Sequence, residues 1–227
     1  MITELGHFCL ILAMLVAFLQ CVVPFLGTRK NSYGMMNFGA TAANLQFALL
    51  ALAFGALTHA FITSDFSVRL VALNSHSLKP LLYKISGVWG NHEGSMLLWV
   101  LILALFGASA VWFGSNLPIR LKATVLSVQG AVGLAFLIFI VFTSNPFLRI
   151  FPIPFDGQDL NPLLQDPGLA FHPPFLYLGY VGLSMSFSFA VAALIEGRID
   201  AAWGRWVRPW TLAAWLFLTM GIALGSW

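Results

Sequence analysis

Gly157-Gln158-Asp159-Leu160-Asn161-Pro162-Leu163-Leu164-Gln165-Asp166-Pro167-Gly168-Leu169-Ala170-Phe171-His172-Pro173-Pro174-Phe175-Leu176-Tyr177-Leu178-Gly179-Tyr180 carries a polar, proline-punctuated loop straight into an apolar run. From Pro167 to Ile195 there is no Asp, Glu, Lys or Arg. A helix that crosses a bilayer needs about 20 mostly apolar residues, so this run is long enough to span. Outward from it, five more charge-free intervals of similar kind appear: Leu5–Thr28, Asn31–Ser64, Gly94–Ile119, Ala123–Leu148 and Pro209–Trp227. The fold class is therefore all-α, a polytopic integral membrane bundle of about six transmembrane helices.

Composition agrees. Of 227 residues, 59% are hydrophobic and 8% charged, against about 25% charged in soluble domains. The net charge of +3 does not point to nucleic acid, because no basic cluster stands clear of the spans. The bilayer is the first partner. The first span lacks a basic leader region and a small-residue cleavage site, so it reads as a retained helix. Cys9 and Cys21 fall on that helix about 18 Å apart at 1.5 Å rise per residue, too far for a disulfide.

The spans are expected at Leu5–Leu26, closed by Pro24 and Gly27, then Phe38–Ile62, Ser95–Phe113, Lys122–Phe142, Pro173–Ile195, and from near Pro209 onward. Two long connectors, 63–94 and 143–172, lie on one side. The opposite side carries Arg29, Lys30, Arg120, Lys122, Arg198, Arg205 and Arg208, against Arg69, Lys79, Lys84 and Arg149 on the connector side. Short basic loops stay inside, which puts the N-terminus and both connectors outside. Trp203, Trp206 and Trp210 then fall at the inner boundary, where an aromatic belt belongs.

His172 is the leading site residue. Pro173 and Pro174 suit a first helical turn, where an N–H has no partner anyway. The residue before a proline is pushed out of the α region, so His172 is expected just before the helix. The helix dipole would then favour the neutral imidazole, the form that ligates metal. Phe171, Phe175, Tyr177 and Tyr180 surround it with flat apolar area. The competing reading is a histidine that anchors a helix end by hydrogen bonding.

A second group is Trp89-Gly90-Asn91-His92-Glu93-Gly94-Ser95, with Trp99 following. Ser95 is a candidate cap beside a close-packing Gly94. His92 and Glu93 could bind a ligand, relay a proton or pair with Lys84; otherwise they are the wetted start of a helix. His7, His59 and His76 reach the same outer face, as functional groups or interfacial ones. Asn44, Gln46 and Gln129, inside spans, suit interhelical hydrogen bonds. No phosphate loop, dinucleotide fingerprint or Cys-x-x-Cys occurs, and no histidine pair has i,i+4 metal spacing, which argues against an ATPase or a hydrolase.

Three stretches resemble the cytochrome c-type biogenesis haem lyase family, CcmF. The first runs from Asp65-Phe66-Ser67-Val68-Arg69 through Tyr83-Lys84 to Trp89–Ser95 and Leu98-Trp99. The second is Asp159–Pro167 through His172-Pro173-Pro174 to Tyr177-Leu178-Gly179-Tyr180. The third is Arg208-Pro209-Trp210 to Gly221-Ile222-Ala223-Leu224-Gly225-Ser226-Trp227. The resemblance implies a membrane haem lyase that binds haem b at the outer face and helps attach it to apocytochrome c. It implies His172 as an axial ligand of the haem iron, with Trp89, Trp99, Phe171 and Tyr177 shaping an apolar wall.

The implied partners are a periplasmic haem chaperone, apocytochrome c with its thiol-reducing and presenting subunit, and the remainder of the lyase. The implied location is the bacterial inner membrane, or the mitochondrial inner membrane if organelle-encoded. The family continues into a tryptophan-rich outer segment, expected to begin at Trp227 and missing from this sequence. Residues 1–227 thus read as its N-terminal transmembrane part. Two alternatives remain: a polytopic haem transporter or exporter, and a structural membrane subunit of a respiratory complex.

Overall fold

The structure is a computed structural model that describes residues 1–162, 165–197 and 199–226, with only the main chain at 169. The tryptophan-rich segment expected from Trp227, the charge counted at Arg198, and Leu163 and Leu164 of the quoted stretch lie outside the described residues. Eight helices follow in order: α1 (Ile2–Lys30), α2 (Tyr33–Ile62), α3 (Arg69–Asn74), α4 (Leu81–Ser86), α5 (His92–Phe113), α6 (Ile119–Phe142), α7 (Pro167–Glu196) and α8 (Ala201–Gly225). Six of them, all but α3 and α4, are long and apolar enough to span a membrane. The two short helices give the first connector a structure of its own.

Helix α1 packs on α2 and α6, α2 on α5, and α7 on α6, α5 and α8. Lipid offers no hydrophobic drive between helices, so close approach and polar contacts hold them. At Gly130 of α6, an added Cβ would come within 2.8 Å of the Cys21 nitrogen on α1. At Gly179 of α7 it would come within 2.4 Å of the Leu218 Cα on α8. Only a residue without a side chain allows these approaches. Gln20 Nε2 donates to the Leu126 carbonyl at 3.0 Å. Gln129 Nε2 donates to the Ser184 and Ser188 hydroxyls, both at 3.1 Å.

Helix ends depart from the reading by proline and glycine. Helix α1 runs through Pro24 to Lys30 and ends at Asn31, whose left-handed φ of 51° lets its N–H cap the Gly27 carbonyl. Helix α8 starts at Ala201, not near Pro209, because the Asp200 carboxylate accepts from the Trp203 N–H at 2.9 Å. Trp203, Trp206 and Trp210 are half-buried and pack on the cluster that holds Val181, Met185 and Phe189. Trp203 Nε1 donates to the Phe189 carbonyl at 3.0 Å.

The two connectors are laced together over one end of the bundle. Arg69 N–H donates to Leu148 O at 2.8 Å and Ile150 N–H to Ser67 O at 3.0 Å, around a single antiparallel bridge between Val68 and Arg149. Further out, Gln158 N–H donates to Ala72 O at 2.8 Å. Arg149 pairs with Glu4 and, at 3.3 Å, with Asp65. Burial would raise the Asp65 carboxyl, but hydrogen bonds from Ser67 and Arg149 outweigh it and hold it below the usual range. Burial pushes the Lys79 ammonium down, opposed by Asp159 3.6 Å away.

Asp156 ties the tip. It accepts from the Ser77 N–H at 2.9 Å and from the Ser77 hydroxyl. The hydroxyl bond, against a small desolvation, holds the carboxyl down to about 2. A depressed pKa stabilises above the unfolded value of about 3.9 and ceases to do so as pH falls through the folded value. The 74–80 segment is therefore expected to lose hydrogen-exchange protection, after correction for intrinsic rates, as the pH falls from about 4 to about 2. Asp156→Ala is expected to lose the same protection already at neutral pH.

Candidate functional site

All five histidines lie at the connector end of the bundle. His7 Nε2 meets Asn145 Nδ2 at 2.9 Å and stacks near Phe147. His76 sits 3.5 Å from Asp156. His92 Nε2 contacts the Ser144 hydroxyl at 3.1 Å and its ring meets Phe139 edge-on. His59 is exposed in the last turn of α2. Lys84 does not pair with Glu93; its ammonium donates to Ser64 Oγ at 2.8 Å. Asn91 caps α5 in place of Ser95, accepting from the Gly94 N–H at 2.8 Å, while Ser95 Oγ turns back to the His92 carbonyl.

His172 is not ahead of its helix. Helix α7 begins at Pro167, and Pro173 and Pro174 lie inside it, so His172 is in the second turn. Proline at 174 removes the N–H that would bond Ala170 O, and proline at 173 removes the nearer alternative. The Trp89 indole fills the gap: its Nε1–H donates to Ala170 O at 3.0 Å. The Pro-Pro pair is thereby tolerated because an α5-side aromatic replaces the lost donor.

The half-buried imidazole turns toward α8. Its Nδ1 lies 2.6 Å from the Gly221 carbonyl. A carbonyl only accepts, so Nδ1 carries a proton, and in the neutral ring Nε2 is then the nitrogen with the lone pair. A second glycine makes the seat: a Cβ on Gly225 would fall 2.4 Å from the His172 Cε1. A carbonyl on one imidazole nitrogen that orients the other for metal is the usual support of a histidine ligand. The donor set therefore fits an iron ligand.

On the α5 side of α7 a cleft of about 350 Å³ is lined in part by Trp89, Gly90, His92, Leu160, Pro173 and Tyr177; His172, turned toward α8, is not part of that lining. Two of the four expected wall residues, Trp89 and Tyr177, thus come together in a cleft with Pro173, the residue after His172. The other two do not line it. Phe171 faces outward, 53% exposed. Trp99 is turned into the bundle, its ring centroid 3.8 Å from that of Phe136 on α6. Sequence reading missed Gly221 and Gly225 as the seat of the imidazole. Their four-residue spacing on one helix face was the available signal, but nothing in sequence tied that face to His172.

Six candidate spans, with a laced polar cap at one end, define a polytopic membrane protein. A family model described as "Cytochrome C assembly protein" matches residues 89–227. The chain belongs to that family. The cytochrome c-type biogenesis protein ccl1 of Rhodobacter capsulatus is 70% identical, and CcmF of Pseudomonas aeruginosa and of Escherichia coli are 55% and 48% identical. Each alignment covers 100% of this chain and 35% of the relative. A solved cytochrome c haem lyase CcmF superposes with a TM-score of 0.83 at 27% identity, covering 97% of this chain and 35% of that one. The chain spans about a third of the length of these relatives.

Two outcomes follow. Trp89→Phe leaves Ala170 O without a donor and is expected to destabilise the bundle by about 1–3 kcal/mol, read as a fall in Tm in detergent. Gly225→Ala is expected to displace the imidazole. With ¹⁵N-labelled histidine, the His172 signal should change from a single Nδ1–H tautomer to a mixture.

Proposed function

We propose that the chain is the N-terminal transmembrane part of a haem lyase that holds haem at the outer membrane face and helps attach it to apocytochrome c. The observation that carries this is the His172 imidazole, bonded through Nδ1 to Gly221 O at 2.6 Å, which leaves Nε2 as the nitrogen that could ligate a metal. Among the described residues no group of three or more His, Cys, Asp or Glu could hold a metal ion. An iron at His172 would therefore take its remaining ligands from a porphyrin, haem b in this proposal, and from elsewhere in the lyase.

The haem vinyl groups and the cytochrome thiols supply the thioether chemistry; the protein supplies position and electrostatics. Gly221 and Gly225 orient the imidazole. Trp89 and Tyr177 offer flat apolar surface beside it, and the laced connectors close the end of the bundle around it. The partners proposed are a periplasmic haem chaperone, apocytochrome c with its thiol-presenting subunit, and the rest of the lyase. Bacterial relatives and six candidate spans support a multi-pass protein of the bacterial inner membrane. Arg29, Lys30, Arg120, Lys122, Arg205 and Arg208 at the far end support placing the N-terminus and connectors outside.

His172→Ala in the full gene product is expected to lower the haem bound on purification and to abolish holocytochrome c, with the protein still inserted in the membrane. Unchanged haem content together with normal cytochrome maturation would overturn the ligand role.

A further inference from the structure

The end of the bundle remote from His172 carries a cleft that haem attachment does not use. Its volume is about 350 Å³, and it lies where α1 ends, α6 begins and α7 ends. Thr28, Arg29, Arg120, Thr124, Ile195 and Glu196 line it. Each charged head in it is steadied by a neutral neighbour. The Arg29 guanidinium sits 5.3 Å over the Phe25 ring. Arg120 Nη1 donates to Asn31 Oδ1 at 2.7 Å. Glu196 Oε1 accepts from the Thr124 hydroxyl at 3.2 Å. Yet among the described residues neither arginine forms an ion pair with Glu196 or with any other carboxylate.

Opposite charges that line one cleft without closing on each other leave room for a ligand that bears both signs. The cleft also sits at the ends of membrane-spanning helices, with Leu194 and Ile195 exposed beside it, 71% and 46%. A ligand there meets apolar surface below and charge above. We propose that this cleft binds the headgroup of phosphatidylethanolamine, with the phosphodiester on Arg29 and Arg120 and the ammonium on Glu196. Guanidinium forks match phosphate oxygens, and basic pockets between spanning helices hold lipid phosphates. The primary ammonium has three N–H donors for the carboxylate. The trimethylammonium of phosphatidylcholine has none, and phosphatidylglycerol has no cation. The arginines therefore hold any phospholipid, and Glu196 selects the headgroup.

The test is native mass spectrometry of the full gene product taken from bilayers of equal phosphatidylethanolamine, phosphatidylcholine and phosphatidylglycerol. The wild type is expected to retain phosphatidylethanolamine about tenfold over the other two, the worth of one charge-assisted hydrogen bond. Glu196→Gln keeps the bond from Thr124 and should retain lipid without that preference. Arg29→Gln with Arg120→Gln should retain none of the three. Added inorganic phosphate should not displace the lipid.

Equal retention of the three lipids by the wild type would overturn the proposal. So would a preference untouched by Glu196→Gln, or release by inorganic phosphate, which would make the cleft a free-anion site. If the double arginine variant does not fold, Glu196→Gln decides alone. Haem content should be unchanged in Glu196→Gln, so this outcome is independent of the role of His172.

Discussion

A backbone carbonyl with no donor costs about 1–3 kcal/mol where water cannot reach it. The pair Pro173-Pro174 creates that situation in the second turn of a helix that then crosses the bundle. The Trp89 indole resolves it by donating to Ala170 O across 3.0 Å. One hydrogen bond thus ties the turn before α5 to the start of α7. It brings Trp89 beside Pro173 and Tyr177, and it fixes the helical turn from which His172 projects. The same bond places the Trp89 ring in the cleft it shares with Pro173 and Tyr177.

The second support comes from α8. This helix packs mainly on α7, and most of its surface stays uncovered: 11% of its apolar window is buried, against 39–56% in the other five spans. What it gives the site is backbone. Gly221 offers a carbonyl to His172 Nδ1, and Gly225 leaves the space the ring occupies. Such a seat is stiff on one side, because a glycine main chain has no rotamers to explore. The carbonyl thereby sets which ring nitrogen carries the proton and which way the ring faces.

The two ends of the bundle are built on different principles. At the connector end, the backbone bonds around Val68 and Arg149 and the contacts of Asp65, Lys79 and Asp156 lace the two connectors into a polar cap. At the other end, charges face a cleft and remain apart. A protein that needs a substrate held at one surface gains from rigidity there. Where the same protein meets lipid, open charges suit a headgroup better than internal ion pairs do.

Sequence alone determined that the chain is a six-span helical bundle, because charge in hydrocarbon is costly and the charge-free intervals are unambiguous. It also determined which end carries the long connectors and all five histidines, since alternation of spans leaves no other arrangement. Helix ends were legible only in part. Pro24, Pro173 and Pro209 looked like boundaries, yet each lies inside a helix; at the Pro173-Pro174 pair the Trp89 indole makes good what proline removes. Tertiary structure decided the rest of the site. It put Trp89 and Tyr177 in one cleft with Pro173, turned Trp99 toward Phe136 and left Phe171 outside. It also chose Gly221 as the partner of Nδ1. Those choices depend on which faces of α5, α7 and α8 meet, and in a uniformly apolar helix no hydrophobic stripe marks the face that will be buried.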